Sequence, residues 1–197
     1  MRAFSLAAAA ALALGGACGR GEPGPTAAPS VVVAGAPDAT FAAASATVSS
    51  AAPGVTATGR ASFATGVANL KVAPARAPTP FGVTDPIAVV DLLRGVVDVR
   101  PYGGSEVQGI GTKRYELDID VARAVEETPV GRRAPLEAVR PRVGADGRLW
   151  AVVFVDAQGR IRRTLVPVKL DSERPAGGDK HIPEFVSVDF YEFGDNQ

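Results

Sequence analysis

The chain has 197 residues, with 21 Lys+Arg balanced by 21 Asp+Glu. With no net charge and no basic stripe, nucleic-acid binding lacks the electrostatic attraction it depends on. A single cysteine, Cys18, excludes a disulfide framework and leaves the rest of the chain without a thiol for metal or catalytic work, and the length suits one domain behind a leader.

Residues 1–17 read as a signal peptide. Arg2 is followed by an apolar Ala/Leu stretch to Leu14, and small residues Gly15, Gly16 and Ala17 precede Cys18. The apolar stretch is too short to span a bilayer as a mature helix. A lone cysteine at this boundary suggests a lipobox, in which the thiol takes a lipid such as palmitate and becomes the mature N-terminus. The pattern departs from the common one in having Gly15 where an apolar residue usually stands. Plain cleavage after Ala17 and an uncleaved anchor are the alternatives. All three place the body of the protein outside the cytoplasm, and lipidation at Cys18 makes it a membrane-anchored protein of the extracytoplasmic face. Residues 18–37 are rich in Gly, Pro and Ala, too poor in apolar surface to offset their ordering entropy. They are expected to be a lipidated flexible tether, with a single domain over 38–197.

In the domain, Asp38 is expected to cap a short helix. Val55 to Phe63 alternates apolar and polar residues as a half-buried strand does. Thr65-Gly66 turns the chain and Val67 to Val72 returns antiparallel. Prolines crowd the segment 73–84, which reads as a loop or irregular edge. Thr84 or Asp85 then caps a helix that Pro86 begins and Gly95 ends, with Ile87, Val90 and Leu92 or Leu93 forming one apolar stripe. Strands 96–102 and 106 onward flank Gly103-Gly104, a hairpin signal. The second runs through Tyr115, Leu117 and Ile119, with Glu116, Asp118 and Asp120 on a wet acidic face. Asp120 is expected to cap a helix over Val121 to Glu127 that Pro129 ends, and Pro135 to Arg140 adds a helical turn or two. Leu149 to Val155 is apolar without alternation, the signature of a strand covered on both faces. Asp156-Ala-Gln-Gly159 turns into Arg160 to Leu170, and Phe185 to Phe193 makes the last strand. The sum is α+β: a mostly antiparallel sheet of long hairpins with a few helices on one face.

Catalytic chemistry finds little support. The sole histidine, His181, sits in a loop-like context and reads as a solvated residue. A serine nucleophile would need it, and no Gly-x-Ser-x-Gly elbow supplies the serine. The acids on the 116–120 strand read as solvated rather than metal-binding. Gly109-x-Gly111 is followed by no helix and resembles no phosphate loop. Arg160, Arg162 and Arg163 read as solubilising the outside of a hairpin, and Trp150 as core. No catalytic residue, metal site or cofactor is expected.

Several segments, in order, resemble the actinobacterial LppX/LprAFG lipoprotein family of LolA-like fold. They are the helix Asp85-Pro86 through Leu92-Leu93; Gly104-Ser-Glu-Val-Gln-Gly-Ile-Gly-Thr112-Lys-Arg-Tyr115 leading to Ile119-Asp120-Val121; Val155-Asp-Ala-Gln-Gly-Arg-Ile-Arg-Arg163; and Val188-Asp-Phe-Tyr-Glu-Phe-Gly194. The resemblance spans roughly 41–194 and is strongest from Asp85 onward. It implies a monomeric, non-enzymatic envelope lipoprotein whose curved half-barrel sheet wraps helices around an apolar cavity that binds or carries an acylated lipid or glycolipid. On this reading Leu92, Leu93, Leu117, Trp150, Val152 and Phe154 are the candidates for the cavity wall. The Pro-rich segment 73–84 stands where family members usually have another hairpin, which predicts fewer strands and a shallow or absent cavity. The competing expectation is a ligand-free envelope interaction or sensor module with a filled core.

Overall fold

A computed structural model describes residues 27–75, 79–174 and 183–194. The leader, Cys18 and His181 lie outside the described residues. The first element is helix α1, Pro29–Phe41. Three hairpin strands follow, β1 Ser45–Ala52, β2 Val55–Ser62 and β3 Val67–Ala73. Helix α2, Pro86–Leu92, runs into a 3₁₀ turn at Leu93–Gly95. A long hairpin, β4 Val96–Val107 and β5 Ile110–Asp120, leads to helices α3, Val121–Glu127, and α4, Ala134–Val139. Strands β6 Arg148–Asp156, β7 Ile161–Pro167 and β8 Phe185–Gly194 complete the chain.

The strands form one eight-stranded sheet in the order β3-β2-β1-β8-β7-β6-β5-β4, antiparallel throughout. The last strand inserts between β1 and β7, so the C-terminal segment joins the two halves of the sheet. The architecture is the α+β half-barrel with helices on one face that the sequence implied. It has one strand more than the pattern suggested. Strand β1 carries little signal in the sequence because its alternation runs in small residues: Ala46, Val48 and Ser50 point inward, between Thr47 and Ser49. The period of two is present, but its apolar amplitude is low.

Helix α1 corrects the expected tether boundary. Residues 29–37 are helical, with Val33 and Ala36 fully buried and Pro37 also inside. Pro29 suits a first helical position, and the valines at 31–33 bring the apolar surface that the composition of the wider segment diluted. Asp38 is therefore within the helix rather than its cap; its carboxylate receives Arg94 at 2.8 Å. The Thr40 hydroxyl donates to the Ala36 carbonyl at 2.8 Å and accepts the Ile161 N–H at 2.9 Å, tying α1 to β7.

Helix α2 starts at Pro86, but Asp85 makes no side-chain cap bond. All seven of its residues are buried rather than one stripe, because α1, α3, α4 and β3 surround it. Gly95 ends the turn through crowding. A Cβ there would lie 2.2 Å from the Asp120 carbonyl oxygen and 2.8 Å from Ala124. Asp120 caps α3 as expected, accepting the Arg123 N–H at 3.0 Å.

The β4–β5 turn is not at Gly103-Gly104. It is Gln108-Gly109, with φ of 50° and 77°, between register partners Val107 and Ile110. That is the two-residue loop with both central φ positive that suits the twist of a hairpin. Gly103, at φ 116°, instead sits where the register of β4 slips between Pro101 and Gly103, a bulge on an edge strand. At the β6–β7 turn, Gly159 takes the left-handed conformation expected of it, with φ 79°.

Leu117 is fully buried where β5 meets the helices, in the main core cluster. Leu117→Ala is expected to cost about 2–5 kcal/mol, the range for a buried leucine whose site cannot collapse. Urea unfolding measures it, and a loss below about 1 kcal/mol would contradict its packing in the main core.

Candidate functional site

Side chains alternate across a strand, and on β6 the alternation sorts the residues onto two faces. Leu149, Ala151, Val153 and Val155 join the main core under the helices. Trp150, Val152 and Phe154 join a second, smaller cluster with Val107, against which Leu165 and Phe185 pack. The six expected cavity residues are thereby divided. Leu92, Leu93 and Leu117 are at zero exposure inside the helix-covered core, while Trp150, Val152 and Phe154 lie on the opposite face of the sheet. They do not line one cavity. The two-sided burial of β6 was legible in the sequence; which partner covers each face was not.

Space for a ligand occurs instead at the surface. One cleft, of about 270 Å³, opens at the rim where the sheet and helices part. Its walls are Val67 and Ala68 at the start of β3, Pro86, Ile87 and Ala88 at the start of α2, and Arg132. Arg132 is held from below: its Nε and Nη2 reach the two carboxylate oxygens of Asp91 at 2.8 and 3.0 Å. Asp91 is fully buried and also accepts Arg94 Nε at 3.1 Å, and Arg94 continues to Asp38. The Arg132 guanidinium lies 4.3 Å from the Phe41 ring centroid. Burial alone would lower the Arg94 guanidinium, but its hydrogen bonds to Asp38 and Asp91 outweigh this and hold it above its ordinary value. The network locks α1, α2 and the 130–132 turn together beneath the cleft.

A second cleft, of about 480 Å³, lies by Trp150 and Asp118 on the outer face. A third, of about 300 Å³, lies between the tip of the β4–β5 hairpin and β8, lined by Val107, Ile110, Arg162 and Tyr191.

The charges of the outer face are paired rather than simply solvated. Asp118 receives Arg174 at 2.6 Å, and Glu116 lies 3.5 Å from Arg114. Arg163 grips Asp189 through Nε and Nη2, and those bonds raise its pKa above the ordinary value despite burial. Arg160 and Arg162 both reach Asp156, at 3.2 and 2.6 Å, and both stand over the Phe193 ring, at 4.8 and 4.7 Å from its centroid. These three arginines are thus held by ion pairs and ring contacts, where the sequence suggested only solubilising charge. Among the described residues, no group of three or more His, Cys, Asp or Glu is placed to hold a metal ion, and no helix is long and apolar enough to cross a membrane.

Asp156 gathers both backbone and guanidinium donors. Its Oδ1 accepts the backbone N–H groups of Gln158 and Arg160, both at 2.9 Å. Burial alone would raise its pKa, but the Arg160 backbone bond and the Arg162 guanidinium prevail and hold it below the ordinary carboxylate value. A lowered folded value means stability that is complete above the unfolded pKa and is lost as pH falls through the folded one. Asp156→Asn is therefore expected to be less stable than the wild type near about pH 7, with the gap shrinking near about pH 3. Urea titrations at the two pH values compare them; a gap independent of pH would contradict the assignment.

No protein-family model matches the chain, and no curated protein matches it. Among solved structures it is similar to the lipoprotein LppX of Mycobacterium tuberculosis, with 15% identity and a TM-score of 0.49 over 85% of this chain and 96% of that one. It is likewise similar to LprF from Mycobacterium bovis, with 12% identity and a TM-score of 0.49 over 86% of this chain and 94% of that one.

Proposed function

We propose that the protein is a non-catalytic lipoprotein of the cell envelope, held at the extracytoplasmic face of the membrane by a lipid on Cys18, and that its folded domain binds an acylated lipid or glycolipid. The rim cleft is the observation that carries this reading. It opens between the two layers and offers Val67, Ala68, Ile87 and Ala88 as apolar wall. Each methylene that leaves water for such a wall gains about 0.8 kcal/mol, so an acyl chain needs no charged recognition to be held. At about 270 Å³ the cleft falls just below the usual range for ligand pockets, roughly 300–1,000 Å³. It therefore seats the end of one chain, and a larger cargo requires the helices to part from the sheet at this edge. The ordered resemblance of the segments from Asp85 onward supports the same reading.

The alternative is a ligand-free interaction or sensor module, and the complete burial of Leu92, Leu93 and Leu117 favours it. Lipid extraction and mass spectrometry of natively purified protein separate the two. A bound lipid that Val67→Asp removes is expected on the first reading; Val67 is 52% exposed, so the fold tolerates the change. Protein free of lipid in both forms supports the second. For the anchor, Cys18→Ser is expected to move the protein from the detergent phase to the aqueous phase on phase partitioning; retention in the detergent phase would contradict lipidation at Cys18.

A further inference from the structure

The 480 Å³ cleft of the outer face shares no residue with the rim cleft and falls within the range of small-ligand pockets. It lies where β5 ends and β6 begins. Trp150 and its register partner Asp118 form one wall, Asp146 and Arg148 another, and Asp171, Glu173 and Arg174, from the segment after β7, a third.

Among the described residues, two hydrogen-bond donors here lack acceptors. Trp150 is only 7% exposed, and its indole Nε1–H has no partner among the described residues. Arg174 Nε is also buried and unpartnered, although its Nη2 donates to Asp118 at 2.6 Å. A buried donor left without an acceptor is unfavourable, and a ligand carrying acceptors would satisfy both. Each nitrogen is closed to bulk solvent, so a ligand oxygen reaches it by parting the cleft wall.

The charges narrow the ligand class. Four carboxylates, Asp118, Asp146, Asp171 and Glu173, face two guanidinium groups, Arg148 and Arg174, which disfavours an anion. A simple cation brings no acceptor for the indole N–H. A hydroxyl group both accepts and donates, and the carbon side of a polyhydroxylated ring suits the apolar edge that Trp150 gives the cleft.

We propose that this cleft binds a neutral saccharide. Its oxygens accept from Trp150 Nε1 and Arg174 Nε, and its hydroxyls donate to the carboxylates of Asp171 and Glu173. The site is independent of the lipid reading.

Trp150 is the chain's only tryptophan, so its fluorescence reports this cleft alone. The full-length protein is titrated with maltose, trehalose and cellobiose, followed by Trp150 emission and by calorimetry. A saturable response to at least one sugar, with the same Kd from both methods, is expected. Asp171→Asn, at an exposed position, should weaken binding about tenfold without changing the unfolding temperature. Trp150→Phe, followed by calorimetry, should weaken it comparably. No saturable response to any of the three sugars overturns the proposal. So does a response that both substitutions leave unchanged, or one that inorganic phosphate displaces at constant ionic strength.

Discussion

Strand β6 sets the terms for the rest of the molecule. Every residue from Leu149 to Asp156 is buried, so both faces of the sheet must be covered where this strand runs. Helices cover one face. On the other, the Trp150, Val152 and Phe154 cluster is closed by Val107, Leu165 and Phe185 and by long arginine side chains whose heads are held by acids. An arginine can lay its carbon stem on apolar surface while its guanidinium stays paired or wet, which makes it a workable cover for a sheet face with no helices.

Paired charge has the same role within the helix layer. Asp91 is completely buried among apolar residues, an arrangement that is stable only while Arg94 and Arg132 both reach it. Removing one partner of such a group leaves a buried charge uncompensated, at a cost of about 3–5 kcal/mol. The carboxylate therefore fixes how α1, α2 and the turn before α4 meet, and so shapes the floor of the rim cleft. Both proposed ligand sites thus depend on ion pairs whose members are far apart in the chain: Asp91 with Arg132, and Asp118 with Arg174.

Much of the fold was legible residue by residue. Pro86 at a helix start, Asp120 as a cap, Gly159 in a left-handed turn and the unbroken apolar run at 149–155 each carry a local physical cause that holds wherever the chain goes. The failures have causes too. Strand β1 is written in Ala and Ser, whose contrast in hydropathy is slight. Gly103-Gly104 is a strong local turn signal, yet the strand continues through it, because the β4–β5 register turns at Gln108-Gly109 and uses Gly103 as a bulge. The valines at 31–33 were averaged away in a Gly- and Pro-rich segment, although burial of Val33 is part of what docks α1.

Dihedral preference and the spacing of apolar residues made the class of fold, the Asp120 cap, the Gly159 turn and the strand that must be covered twice legible in the chain. Which side chains share a wall was settled by strand pairing. Leu117 and Trp150 both read as apolar strand residues, but β5 and β6 pair Leu117 with Ala151 and Trp150 with Asp118. A one-residue step in register carries a side chain to the other face, so the pairing that separates the helix-covered core from the outer cleft is a property of the assembled sheet.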